Sequence, residues 1–498
     1  DPLTGAPDLR MIAPEVLERI VLTSGGFGGP RGGAQEVHLV TRRADPAQSQ
    51  SRMGIYGGSY QINKVGGGLR RRLFGSAALH VDINKIEQRT EDLTLKVEQV
   101  QYFTRLEKNL RGAAVISLEG LFFSNDRNPR GTVGKLKQKN THLHAAITGR
   151  LGERAGYRLG YRYAVSTHPF LQDGRAVHLK ARADGYQAQF VLRPGRGLAV
   201  GIDLQGERNR PLDFQDILPE DLSLSIHSQL GFLRLQAPGG LRLHATGGLR
   251  QVPGSAGTKA VLDLGASRSF SGRVSAFLAW KRDVSYPDLA ALYSLSCSGA
   301  GMEDCRPARL DMLDGGLEFK PAGLGVLRAG LTHRRLSGQA VSGFSPDPLT
   351  AGEYTPLDYT VNGFYYRYEG RVWSVFELTA EGVELFDPPA GVSYLARRRH
   401  TAVLGFETSL LHGDMGFGLQ AEVVYEGEFF FPLGSAQAAG LARQPGRVNF
   451  GGSGLLRIID LTIYCRLDHL MSDYYNGIDP FRLPGPRAIF GLNWEFRN

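Results

Sequence analysis

A pair of cysteines, a pair of histidines, a run of arginines and a cluster of tyrosines are the residues whose types and spacing could do chemistry. Cys297 and Cys305 sit in "CSGAGMEDC", a glycine-containing, loop-like stretch. In an oxidising compartment they would close a small ring; otherwise they stay thiols. His142 and His144 share one face of a strand-like segment, the spacing of a metal pair and equally of polar side chains on a wet surface. Arg397, Arg398 and Arg399 end a long polar stretch and suit either phosphate groups, through charge-assisted pairs, or plain solvation. Tyr354, Tyr359, Tyr365 and Tyr366, with Tyr368 beside them, gather around one such stretch and the strand adjoining it, and Tyr474 and Tyr475 lie in another. Their rings suit stacking on a ligand and, equally, an aromatic belt at a membrane interface. No G-x-S-x-G, H-E-x-x-H or paired metal-ligand motif stands out, so neither an enzyme nor a bound metal or cofactor is expected.

The elements that must position these residues are strands. Glycine is abundant at 65 of 498 residues, hydrophobic residues make up 42%, and mean hydropathy is -0.21, which suits many strands and turns. No run of about 18 apolar residues occurs, which excludes a transmembrane helix and leaves strands as the only way to span a membrane. With 3 cysteines the chain is neither a disulfide scaffold nor a Cys-ligated metalloprotein. Its charge of +9 and pI near 9.4 invite a nucleic-acid reading. Arginines such as Arg158 and Arg162 in "GYRLGYRYAV" alternate instead with apolar residues, and neither a zinc spacing nor a basic helix appears, so no nucleic-acid partner is expected.

From about Arg52 onward one pattern repeats: roughly ten alternating residues, then a turn. "SAALHVDIN" sends Ala77, Leu79, Val81 and Ile83 one way and Ser76, His80, Asp82 and Asn84 the other. In the closing strand Ala488, Phe490, Leu492, Trp494 and Phe496 alternate with Ile489, Gly491, Asn493 and Glu495. Carboxylates and guanidinium groups on the polar side of so many strands are prohibitive in a dry core and easily held in a wet lumen. The alternation therefore predicts a membrane barrel with its apolar face toward lipid.

Connectors alternate between short and long, as tight periplasmic turns and extended outer loops require. The short ones fall near Leu110, Gly152, Arg193, Ala237, Phe270, Pro321 and Leu411, with a further turn placed near Arg371 by parity. The long ones run over 125–139, 208–221, 284–307, 337–360, 387–398, 430–447 and 472–487. The expected fold is an all-β membrane protein, an antiparallel transmembrane barrel of about 22 strands. The first fifty residues differ: a helix-like start at Pro14 to Arg19, a glycine-rich bend from Gly25 to Gly33, and a strand at Val37 to Thr41. Neither phosphate-loop spacing is matched in that bend.

These features together resemble the TonB-dependent outer-membrane receptors. Ile12, Ala13 and Pro14 followed by Glu18, Arg19 and Ile20, and a close through Val37, Leu39, Val40, Thr41 and Arg42, are similar to the end of that family's plug domain. "YPDLAALY", then "CRPARLDMLDGGLEFKP", "EGVELF" and "PGPRAIFGLNWEF" look like its mid-barrel and closing elements, in the same order. Val21 stands where the family's second plug glutamate is expected, and Thr23, Ser24 and Gly25 replace its Arg-Gly-Pro.

The resemblance implies that 1–50 is the C-terminal portion of a plug domain inside the lumen and that 51–498 is the transmembrane barrel. It implies a bacterial outer-membrane location and energised uptake of a scarce nutrient, a metal chelate, cobalamin or an oligosaccharide. Glu18 and Arg19 would bind the inner wall, and Tyr354, Tyr359, Tyr365, Tyr366, Tyr474 and Tyr475 would contact ligand in outer loops. Arg397, Arg398 and Arg399 would hold lipopolysaccharide phosphates. TonB is expected to act through a segment absent from this sequence. The alternatives are a passive pore, a pore closed by another chain, and a non-transporting scaffold or surface receptor on the same barrel.

Overall fold

The computed structural model describes residues 12, 14–24, 35–42, 49–73, 75–89, 95–110, 112–129, 136–172, 175–213, 224–251, 257–285, 307–342, 354–372, 375–386, 396–433, 440–470 and 486–497. A 3-10 turn at Pro14–Val16 leads directly into β1 (Leu17–Ser24), which pairs antiparallel with β2 (Gln35–Thr41) as a separate two-stranded sheet. The helix-like start expected through Arg19 therefore ends at Val16. The following run of Ile20, Val21, Leu22 and Thr23 favours extended backbone, and β2 supplies its ladder partners, Ile20 facing Leu39 and Leu22 facing Val37.

The chain then meanders through β3 (Gln50–Gly58), β4 (Ile62–Arg72), β5 (Ala77–Arg89), β6 (Leu95–Leu110), β7 (Ala114–Pro129), β8 (Leu136–Leu151), β9 (Ala155–Gln172), β10 (Arg175–Gly195) and β11 (Leu198–Asp213). It continues as β12 (Leu224–Gln236), β13 (Leu241–Gln251), β14 (Thr258–Ser269), β15 (Val274–Ser285), β16 (Ala308–Phe319), β17 (Val326–Ser342), β18 (Tyr354–Val372), β19 (Phe376–Leu385), β20 (Arg398–Leu410) and β21 (Met415–Glu426). A hairpin of β22 (Phe429–Leu433) and β23 (Gly440–Gln444) forms a sheet of its own that overlaps the expected loop 430–447. The last strands are β24 (Arg447–Ile458), β25 (Leu461–Asp468) and β26 (Arg487–Arg497), and β26 pairs with β3 to close a barrel of 22 antiparallel strands.

The expected short turns all appear, including the one between Val372 and Phe376 that parity demanded. Gly112, Gly152 and Gly197 sit in three of them at φ 78, 69 and 81, a left-handed conformation that side chains with a Cβ resist. Several long connectors are shorter than expected. β7 and β8 extend to Pro129 and from Leu136, and β17 and β18 extend to Ser342 and from Tyr354. In these segments the backbone ladder continues past the apolar band, so the pairing persists where the hydrophobic alternation has faded.

Register assigns the faces. Lys64 on β4 binds Glu15 of the N-terminal segment, so the face of Lys64 is lumenal. Its cross-strand partners Tyr56 on β3 and Gly491 on β26 share that face, as does Glu495 further along β26. Phe490, Leu492, Trp494 and Phe496 must then face lipid, and they are exposed, Leu492 at 49% and Trp494 at 52%. The same rule turns Leu79, Val81 and Ile83 outward and His80, Asp82 and Asn84 inward. At the closing seam the Tyr56 ring lies over Gly491, where any side chain would collide with it.

Candidate functional site in the lumen

The inner wall of β3 to β7 and β26 carries the polar set that receives the N-terminal segment. Val16, 1% exposed, packs on Phe103 of β6 with Leu121 of β7 beside it. The Glu15 carboxylate accepts a hydrogen bond from the Lys64 ammonium. Burial alone would push the Glu15 pKa up, but Lys64, through its charge and its hydrogen bond, outweighs this and leaves the carboxyl below its ordinary value.

At the other end of the hairpin Arg42 is the hub. Its backbone N–H donates to the Val16 carbonyl at 2.8 Å and its Nε to the Leu17 carbonyl at 2.9 Å, which fastens the two ends of the segment together. Its Nη1 lies 3.6 Å from Glu495 Oε1 on β26, and its carbonyl accepts from His80 Nδ1 at 3.2 Å. Arg105 on β6 donates to the Thr41 hydroxyl and pairs with Glu107 at 2.7 Å and Glu119 at 3.3 Å. Deeper in the wall Arg52 and Asp82 form a 2.6 Å pair with side chains 5% and 2% exposed. Each buried charge thus has an opposite partner, the condition under which such groups are tolerated.

The residues named for wall contact are placed differently. Glu18 lies on β1 and is exposed, with no ion pair among the described residues, and the side chain of Arg19 lies outside them. Glu18 is the extra residue of a bulge between Leu17 and Arg19 in the β1–β2 ladder, and among the described residues Glu15 and Arg42 make charged contacts with the wall. No local signal marks Glu15, because its partner is 49 residues away.

Tyr354, Tyr359, Tyr365, Tyr366 and Tyr368 lie on β18, which takes in the end of the expected loop 337–360 and the strand adjoining it. Tyr365 pairs with Gly330 and Tyr359 with Leu336 on the lumenal side. Tyr366 faces lipid, stacked on His400 at 5.8 Å, which stacks in turn on Tyr425 at 5.9 Å. That row of rings on the lipid face has the chemistry of an aromatic belt. The backbone of Tyr354 pairs with Ser342, its side chain lies outside the described residues, and so do Tyr474, Tyr475, Cys297 and Cys305.

The arginine run is split by the same alternation. Arg398 faces out and pairs with Glu384 at 2.8 Å, Arg399 faces in with Nε 3.8 Å from Glu426, and the Arg397 N–H donates to the Glu428 carbonyl at 3.3 Å. Arg399 therefore cannot share a lipid-side anion with Arg398. His142 and His144 both face the lumen, His144 Nδ1 lies 3.8 Å from Glu119, and no three-residue metal-binding group occurs among the described residues.

Beside this arc, the wall of β9 to β17 bounds a lumenal cavity of about 940 Å³. Arg158, Arg234, Arg242 and Arg328 line it with Asp203, Asp263 and Asp314, so it is a charged surface rather than an apolar pocket.

No protein-family model matches the chain, and no curated protein does. Solved structures do. The ferric enterobactin receptor of Pseudomonas aeruginosa superposes with a TM-score of 0.81 at 14% identity, over 98% of this chain and 86% of that one. The siderophore receptor PirA of Acinetobacter baumannii gives 0.79 at 11%, over 98% and 87%. The FrpB iron transporter of Neisseria meningitidis gives 0.76 at 11%, over 97% and 88%. The chain shares the fold of these receptors and this transporter, and its barrel has 22 strands. It is the architecture that the resemblance to TonB-dependent receptors implied.

Proposed function

We propose that the chain is an outer-membrane transport protein of the TonB-dependent type, in which 1–50 belongs to a plug and 51–498 form the barrel. The observation that carries this reading is the attachment of the N-terminal hairpin to the polar inner wall through Glu15, Thr41 and Arg42. A barrel of this size has a lumen too wide to fill with its own side chains, so a segment held inside by a few ion pairs is suited to close it and to be displaced. TonB would supply the pull, and lipid and lipopolysaccharide would surround the outer face.

The proposed cargo is a ferric chelate. The similar structures are described as receptors for ferric enterobactin and siderophores and as an iron transporter, and Tyr359 and Tyr365 on the lumenal face of β18 are the candidate ring contacts. The test is uptake of radiolabelled iron chelates by cells that express the chain, with and without a protonophore. Uptake abolished by the protonophore supports the proposal. Steady ion conductance in planar bilayers without energised uptake would replace it with a passive or partner-closed pore.

A further inference from the structure

A groove of about 520 Å³ opens on the lipid side of the wall and crosses five strands, β10 to β14. Register lays its lining in two adjacent rows. In one, Phe190, Ile202, Gly231, Gly247 and Leu262 pair in turn from strand to strand; the other, two residues nearer the short turns, runs from Leu192 to Ala245. Gly231, Gly247 and Ala245 bring little or no side chain to β12 and β13, while Ile202 and Leu262 stand on either side of them. Four strand spacings make the groove roughly 19 Å long, and one step of two residues makes it about 7 Å wide. An α-helix with its side chains, about 10–12 Å across, is too thick for it, whereas a single acyl chain is not.

The groove approaches the short-turn rim at its β10 end. Leu192 is three residues from the end of β10 at Gly195, whereas Leu264, which extends the same row by pairing with Ala245, is five residues from the end of β14 at Ser269. Short turns mark the periplasmic side of such barrels. Two of them meet at this end: the Arg193 N–H donates to the Arg154 carbonyl at 2.7 Å, which holds the β8–β9 turn against the β10–β11 turn.

Arg154 and Arg196 lie in these turns, both are exposed, and neither makes an ion pair among the described residues. Glu153 is the one carboxylate in the two turns, and Arg193 lines the lumenal cavity instead. Beside the same end Tyr157 on β9 pairs with Phe190, and its ring lies over Gly149 of β8. A tyrosine in that position suits the headgroup level of a membrane.

Two cations at the periplasmic rim, a tyrosine beside them and a narrow apolar groove leading away from that point fit one molecule, a phospholipid with a negatively charged headgroup. We infer that Arg154 and Arg196 bind the phosphate of an anionic phospholipid in the periplasmic leaflet, and that one of its acyl chains lies in the groove over Gly231 and Gly247. Guanidinium groups hold phosphate through charge-assisted hydrogen bonds, and the groove gives the chain close contacts along its length. The inference rests on the outer-membrane location and not on the nature of the cargo.

Native mass spectrometry of the purified chain in detergent tests it, with palmitoyl-oleoyl phosphatidylglycerol as probe and phosphatidylethanolamine of the same acyl chains as comparison. The expected result is bound phosphatidylglycerol, with phosphatidylethanolamine at least about tenfold weaker. Phosphatidylglycerol affinity is expected to fall at least about tenfold in Arg154→Gln/Arg196→Gln, and by a similar factor in Gly231→Leu. A Cβ at Gly231 meets nothing nearer than the Gly247 carbonyl at 3.9 Å, so the leucine fills the groove without forcing the sheet apart. A Lys320→Gln/Arg371→Gln control, beside two other short turns, is expected to bind like the wild type, and circular dichroism checks that each variant is folded. Equal binding of the two lipids, wild-type affinity in either variant, or an equal loss in the control would overturn the assignment. So would a dimer that Gly231→Leu dissociates, since the groove would then belong to a second copy of the chain. Membrane fractionation of cells is read separately. A wild-type chain outside the outer membrane would sink the location, while the binding data still decide whether the site holds an anionic phospholipid.

Discussion

At the scale of single residues the Glu15–Lys64 pair is the most informative contact, because it joins the N-terminal segment to the wall with side chains only 14% and 15% exposed. Glu15→Gln removes the charge and keeps the shape, and is expected to weaken attachment of the hairpin by about 1–3 kcal/mol, read as faster hydrogen exchange of the β1–β2 amides. The pH dependence follows from the lowered pKa. The contribution is fully present above the ordinary glutamate value of 4.5 and is lost as pH falls through the lower value in the folded chain. The protection of the hairpin amides relative to their intrinsic exchange rates should fall on acidification below about pH 4.5, and the Glu15→Gln variant should lack that component. A wild-type profile that is flat down to pH 3 would count against the pair as a latch.

At the scale of elements, two interfaces carry predictions. Phe103→Ala opens a hole beneath Val16 and is expected to cost the hairpin about 3 kcal/mol, so that its amides exchange roughly a hundredfold faster while the barrel amides are unchanged. On β26 the facing decides the outcome. Leu492→Arg puts a charge against lipid and should cost about 2–4 kcal/mol if its depth is near the midplane, whereas Asn493→Arg places the same charge in the wet lumen and should cost little. Guanidinium unfolding of both variants in lipid vesicles checks this, and equal losses would refute the assignment of faces. The alternation of this strand was legible from the residues alone. The extra reach of β17 and β18 was not, because their outer ends are held by backbone pairing where the side chains no longer alternate.

At the scale of the whole molecule, the hairpin and the barrel act as stopper and wall. Deleting 14–42 should leave the barrel closed through β26 and β3 and raise its conductance in planar bilayers several-fold, with loss of energised uptake. Unchanged conductance would mean that the hairpin does not obstruct the lumen.

Alternating side chains, short connectors and the even strand parity by themselves determined an all-β membrane barrel of the right size with its lipid face correctly chosen. These are local properties: strand period is two residues, and a turn is read within four or five. Only the tertiary structure decided which charges meet. Glu15 and Lys64 are 49 residues apart, Arg42 reaches Glu495 across the closing seam, and the arginine run at Arg397 to Arg399 divides between lumen and lipid. Tyr365 and Tyr366 had to face opposite ways, but only the register traced from Lys64 around the barrel assigns the first to the lumen and the second to the lipid face. The physical reason is closure: a strand's own residues fix its alternation, while the sense of that alternation and its partners exist only once the last strand has paired with the first.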